Sequence, residues 1–312
     1  MPHPIDGIAE PHPLNSPTPR TRFAPSVTGH LHLGHIVNAV YVWGIGRAQG
    51  GSVVLRLEDH DRTRFKPEFE ASILDDLDWL GLVPDDGITA GFRSGRSEFR
   101  QSDNVERYQH ALDLLSRRGL VYVCDCRRAD REPPDADGGN EPCYAGTCRD
   151  RALADGPGRR LRIRMDPGIE AFHDLALGAQ HQDPASQCGD LVVRDGAGNW
   201  TYQFAVTVDD AVHRIDLVIR GRDLLGSTGR QIRLARLLGR EVPPVYYHHP
   251  LVIGADGRKL SKREFAKGIR DLRGEGQSPA SVLGEAAYLG GLLPTLRDLP
   301  TTELADLFAK IA

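Results

Sequence analysis

A chain of 312 residues is long enough for two domains, or for one large domain carrying an insertion. With 40% hydrophobic and 26% charged residues it has an ordinary globular composition, and no apolar run approaches the roughly 20 residues of a membrane span. A formal net charge of −4 excludes a protein that coats polyanions through its overall field, so nucleic-acid contacts must come from local patches.

Residues 1–19 are rich in proline, without helical or strand period, and predict a disordered tail. They also lack the basic and apolar regions of a signal peptide, so a cytoplasmic protein with no membrane contact is expected. A short strand over residues 21–24 ends at Pro25. Ile36, Ala39, Val40, Trp43 and Arg47 then recur at helical spacing up to Gly50 and Gly51. Residues 53–59 form an apolar run of strand length, as in a strand buried on both faces. Phe69, Ile73, Leu77 and Leu80 predict a second helix between Pro67 and Gly81. Tyr108, Leu112 and Leu115 predict a third, stopped at Gly119 and followed by a strand over 120–123. This alternation predicts an α/β fold with a parallel sheet.

The alternation then breaks. Residues 161–165 alternate like an edge strand, and residues 191–194 and 200–205 flank a turn and predict a hairpin. Sheet strands return at 216–221 and 245–248, with a helix carrying Leu224, Ile232, Ala235 and Leu238 between them. The stretch from about 278 predicts short helices. The expected domains are 20–119 and 191–265 as two halves of one nucleotide-binding fold, 120–190 as an insertion, and 266–312 as a short helical C-terminal segment.

Two segments carry chemistry. Pro25, Ser26, Val27, Thr28 and Gly29 lead into His32-Leu33-Gly34-His35 where a strand hands over to a helix, and Lys259-Leu260-Ser261-Lys262 follows a glycine turn much later. Small residues let a nucleotide approach the backbone, a helix N-terminus and imidazoles meet phosphates, and ammonium groups neutralise developing charge. Together these segments resemble the two signatures of class I aminoacyl-tRNA synthetases of the glutamyl type, over about 20–265. Val27 stands where that family usually has proline, which leaves the histidines and glycine in place.

The resemblance implies a Rossmann-type catalytic domain split by a zinc-bearing, acceptor-type insertion. It implies that glutamate attacks the α-phosphorus of ATP to give glutamyl-adenylate and pyrophosphate, with Mg²⁺ accompanying ATP. His32, Gly34, His35 and Lys262 are the implied ATP contacts, and His32, His35, Lys259 and Lys262 the catalytic set. Arg22, Phe23, Ala24, Pro25, Ser26, Glu58, Tyr202 and Arg220 are the implied L-glutamate site. Two guanidinium forks suit a carboxylate side chain, Glu58 suits the substrate ammonium, and Tyr202 offers a hydroxyl and a wall.

Five cysteines, an odd count, argue against a disulfide framework, and Cys124, Cys126, Cys143 and Cys148 cluster within 25 residues. Such density points to tetrahedral zinc. By resemblance the ligands are Cys124, Cys126, Tyr144 and Cys148. Softness favours Cys143 as the fourth ligand and the register of the resemblance favours Tyr144. Cys188 is expected to be a small core residue. Arg127, Arg128, Arg149, Arg151, Arg159 and Arg160 are candidate phosphate contacts on the insertion.

Only 50 residues follow Lys262, too few for an anticodon-binding domain of ordinary size. The expectation is therefore a short paralogue of the family that activates glutamate without tRNA. It would transfer glutamate to the queuosine base in the anticodon loop of tRNA(Asp), as a monomer. The alternatives are a truncated or discriminating enzyme charging tRNA(Glu), or a non-catalytic zinc-bearing RNA-binding module.

Overall fold

The computed structural model describes residues 18–126, 143–252 and 267–310. In chain order the first elements are β1 (Arg20–Phe23), α1 (Leu33–Ala48), β2 (Ser52–Leu55), α2 (Pro67–Leu80), α3 (Thr89–Ser94) and α4 (Val105–Arg117). They are followed by β3 (Val121–Cys124), β4 (Arg160–Ile163), β5 (Glu170–Asp174), β6 (Gly178–Gln182), α5 (Pro184–Cys188) and β7 (Leu191–Arg194). The last are α6 (Tyr202–Val212), β8 (Leu217–Gly221), α7 (Thr228–Leu237), β9 (Val245–His249), α8 (Ile269–Gly274) and α9 (Pro279–Leu289). No helix among the described residues is long and apolar enough to cross a membrane.

The described residues fall into two compact units, one built from those within 18–103, 215–223 and 246–310, the other from those within 104–214 and 224–245. In the first, β1 and β2 pair in parallel with Phe23 opposite Leu55. The pairing continues past both strands: Arg56 N donates to Phe23 O at 3.0 Å, Glu58 N to Pro25 O at 3.1 Å and Val27 N to Glu58 O at 3.2 Å. On the far side of β1, Asp216 N donates to Arg20 O at 3.1 Å, which brings β8 alongside, and β8 neighbours β9. The carboxyl ends of β1, β2 and β8 therefore carry Arg22 to Ser26, Arg56 to Glu58, and Arg220. Val53, Val54, Leu55 and Leu57 are buried, as the apolar run required. The α2 boundaries match the sequence expectation, with Pro67 in the first turn and Gly81 closing the helix at φ 70°. The C-terminal α9 packs on α1, where Tyr41 Oη donates to Gly290 O at 2.8 Å.

Asp76 of this unit has a carboxyl shifted well above its ordinary range. Asp76 on α2 is buried, and it lines a cleft with Ser72, Asp75, Arg270 and Arg273. Burial pushes its carboxyl up to about 7, against the pull of Arg273. A folded-state value above the unfolded one means that ionisation opposes folding. The cost is absent below the unfolded value near 4 and fully present above about 7. Asp76→Asn is expected to raise the Tm by a few degrees near pH 8 and to change it little near pH 4, in thermal unfolding followed by circular dichroism.

In the second unit β4 lies between β3 and β7 in a three-stranded antiparallel sheet. Tyr108, Leu112 and Leu115 of α4, Phe204 and Val208 of α6 and Leu234 of α7 form its core with Ile163 and Val193. Arg107 Nη1 and Tyr108 Oη both donate to the buried Asp209 carboxylate at 2.9 Å, which ties α4 to α6. Three expectations are corrected here. Residues 161–165 are not an edge strand, because β4 has a partner on each side. Residues 120–123 do not continue the parallel sheet, since β3 pairs antiparallel with β4. The expected second strand of the 191–205 hairpin is reduced to a bridge between Arg194 and Trp200, after which α6 begins. The β5–β6 hairpin was not visible in the sequence pattern.

Candidate active site and metal centre

At the carboxyl end of the β1–β2 pair the structure brings Arg22, Ala24, Pro25, Ser26 and Glu58 together, Ser26 and Glu58 being bridge partners. Arg22 and Glu58 are each only 4% exposed. Arg22 Nη1 donates to Ile219 O at 3.4 Å, which fastens it to β8 one residue before Arg220. Arg220 is also buried; its Nε donates to His248 Nε2 at 3.1 Å and its guanidinium lies 5.5 Å from the Tyr246 ring. Burial raises the Glu58 carboxyl above the usual range, opposed by Arg56, His60 and Arg22. Phe23 is buried against Trp43 at 5.4 Å between ring centroids, so its ring belongs to the core and its carbonyl to the strand pairing.

His32 is the N-cap of α1 and not a member of its first turn. Gly34 N donates to His32 Nδ1 at 3.1 Å, and His32 N donates to His35 Nδ1 at 3.2 Å, a capping box built from two imidazoles. An Nδ1 that accepts from backbone places the proton of the neutral ring on Nε2, the tautomer assigned by this network. Burial, then His32, pushes His35 down to about 3, so its ring is neutral at physiological pH. The pair therefore presents Nε2–H donors beside the positive end of a helix dipole, an arrangement that suits an anion. Lys259 and Lys262 lie outside the described residues. Tyr202 opens α6 in the other unit, half-buried.

The second unit holds the cysteines. Cys124, Cys126 and Cys148 place their sulfurs within 4.8 Å of one another. Tyr144 Oη lies 3.6 Å from Cys124 Sγ and accepts from Cys148 N at 2.8 Å. Cys143 Sγ instead approaches Ala185 O at 3.9 Å. Gly189, at φ +65°, makes this possible: a Cβ there would sit 2.0 Å from Tyr144 O. Burial opposes ionisation of Cys124, but the Arg162 guanidinium and the Tyr144 hydroxyl outweigh it and hold the thiol down to about 7. Burial and the neighbouring thiols push Cys126 up to about 11. Four donors packed this tightly cannot all ionise unaided. The donor set fits zinc, whose bond length of about 2.3 Å to sulfur puts tetrahedral sulfurs about 3.8 Å apart.

The surrounding arginines have partners within this unit. Arg149 Nε donates to Asp190 Oδ2 at 2.8 Å, Tyr122 Oη to the same oxygen at 2.6 Å, and Arg151 Nη1 to Asp125 at 2.8 Å. Arg160 Nη1 donates to Cys126 O at 2.5 Å, and Arg159 to Ala154 O. Arg149 and Arg151 keep part of their side chains exposed beside these ion pairs. Arg127 and Arg128 lie outside the described residues.

Residues 19–303 match the family described as tRNA synthetases class I (E and Q), catalytic domain. The chain belongs to that family. It is thus a ligase of the aminoacyl-tRNA synthetase type. A Symbiobacterium thermophilum relative named Glutamyl-Q tRNA(Asp) synthetase is 41% identical over 92% of this synthetase and 91% of its own length. A Syntrophus aciditrophicus relative named Glutamate--tRNA ligase 2 is 37% identical over 93% of the synthetase and 61% of its own length. Among solved structures, a glutamate tRNA ligase from Elizabethkingia meningosepticum in complex with its amino acid superposes with a TM-score of 0.74 at 26% identity. The synthetase spans 64% of that chain and matches it over 92% of its own.

Arg56, Tyr246 and His248 escaped the sequence reading. An arginine inside an apolar strand run was the available signal for Arg56, since a buried guanidinium needs a partner. Tyr246 and His248 gave none, because they act across strands.

Proposed function

We propose that this synthetase activates L-glutamate with ATP in the absence of tRNA and transfers the glutamyl group to the queuosine base in the anticodon loop of tRNA(Asp). The substrate carboxylate attacks the α-phosphorus, the bond to pyrophosphate breaks, and a nucleophile of the modified base then displaces AMP from the carbonyl carbon. The observation that carries the glutamate half is the buried Arg22, Glu58 and Arg220 group at the carboxyl ends of β1, β2 and β8, where such sheets bind ligands. Arg22 and Arg220 take the side-chain carboxylate, Glu58 takes the ammonium, and Ala24 and Ser26 line the floor, with Tyr202 proposed on the family resemblance alone. His32 and His35 donate to ATP phosphates at the α1 N-terminus, and Lys259 and Lys262 stabilise charge as pyrophosphate leaves, with Mg²⁺ on the phosphates.

The acceptor half is supported by relatives named Glutamyl-Q tRNA(Asp) synthetase, 39–42% identical to this chain. A second reading, esterification of tRNA(Glu), is supported by relatives named Glutamate--tRNA ligase at 37–38% identity. Zinc held by Cys124, Cys126, Tyr144 and Cys148 would supply a cross-link between the end of β3 and the 144–148 turn, without a chemical part in the reaction. Glutamate-dependent exchange of pyrophosphate into ATP tests the activation step. Exchange without tRNA is expected; exchange seen only with tRNA(Glu) added supports the second reading, and no exchange under either condition removes both.

A further inference from the structure

Arg56 interrupts the apolar run that forms β2 and its continuation, yet its side chain has no exposed surface. Burying a guanidinium is costly unless an anion meets it. The anion is Glu58, two residues on: alternate residues of an extended strand share a face, and Arg56 Nη2 donates to Glu58 Oε1 at 3.1 Å. The backbone holds both ends of this pair, through Arg56 N to Phe23 O and Glu58 N to Pro25 O. With no exposed surface, Arg56 has nothing to offer a ligand directly.

We propose that Arg56 is a positioning residue for glutamate binding, fixing the Glu58 carboxylate as the acceptor for the substrate ammonium. This rests on the glutamate-site reading above. The groups facing Glu58 are Arg56, His60 and Arg22, and burial of the carboxyl opposes all three, with Arg56 the strongest of them. A protonated Glu58 cannot pair with an ammonium, so KM for glutamate rises as pH falls through its titration. Removing Arg56 moves that rise to higher pH.

The test is the pH dependence of KM for glutamate in pyrophosphate exchange, with KM for ATP measured alongside. For Arg56→Met the expected result is a rise in KM for glutamate that sets in at higher pH than in the wild type, on the order of tenfold for each unit of displacement. KM for ATP stays within about twofold, and Arg56→Lys restores most of the wild-type profile. If the Met chain does not fold, Arg56→Gln, which keeps a donor but no charge, is expected to show the same displacement. A KM for glutamate changed equally at every pH, or lost together with KM for ATP, overturns the proposal. If wild-type enzyme shows no glutamate-dependent exchange, the glutamate-site reading fails instead, which separates the two.

Discussion

Arg220→Ala is expected to lower kcat/KM for glutamate by at least about 100-fold in pyrophosphate exchange, leaving KM for ATP within about threefold. Removing one partner of a buried charge pair costs roughly 2–5 kcal/mol, and 100-fold corresponds to about 2.7 kcal/mol. The guanidinium at position 220 is held from two sides, by His248 Nε2 at 3.1 Å and by the Tyr246 ring. It therefore loses little side-chain freedom on meeting a carboxylate, and most of the interaction goes into binding. Arg220→Lys is expected to recover under a tenth of the activity, because a point ammonium replaces neither the fork nor the contact with His248. Circular dichroism on the variant separates a lost contact from a lost fold. A variant that keeps wild-type glutamate kinetics removes Arg220 from the site.

Cys148→Ser is expected to abolish zinc retention and to unfold much of the second unit at temperatures the wild type survives. Wild-type protein is expected to carry about one zinc per chain, and binding at structural sites contributes on the order of 10 kcal/mol to folding. The cluster is central to that unit: Cys124 ends β3, and the 144–148 turn is joined through Gly189 to the Asp190 network. The choice of fourth ligand has its own outcome. Cys143→Ser is expected to keep full zinc content, because Cys143 Sγ approaches Ala185 O and not the other sulfurs. Tyr144→Phe removes the oxygen 3.6 Å from Cys124 and is expected to weaken retention in a chelator competition. Reversed results would assign the fourth position to Cys143. Atomic absorption on the three purified variants reads this directly.

Local features of this fold were legible in the sequence, and features that depend on strand neighbours were not. The α2 limits followed from Pro67 and Gly81, whose preferences act within one turn. That His32 caps α1 was not legible, because a histidine is an uncommon N-cap and its capping role requires the His35 ring as well. Trp200, Tyr202 and Phe204 alternate like a strand, yet Phe204, Ala205, Val208 and Ala211 lie on one buried helical face that packs against α4 and α7. Packing decided between the two periods. Within the site, Arg22, Glu58 and Arg220 were legible as charges near strand ends. The groups that hold them are Arg56 one step along the same strand face, and His248 and Tyr246 a strand away, which register alone brings into contact. The partners of the insertion's arginines were not legible either: Asp190 and Asp125 pair with Arg149 and Arg151 through contacts 41 and 26 residues apart in sequence.

The most direct measurement is the incorporation of radiolabelled glutamate into tRNA by the purified protein, comparing bulk tRNA from queuosine-containing cells with tRNA from queuosine-free cells. The expected result is labelling of the first pool alone, with the label in tRNA(Asp). Equal labelling of both pools, carried by tRNA(Glu), contradicts the proposed acceptor.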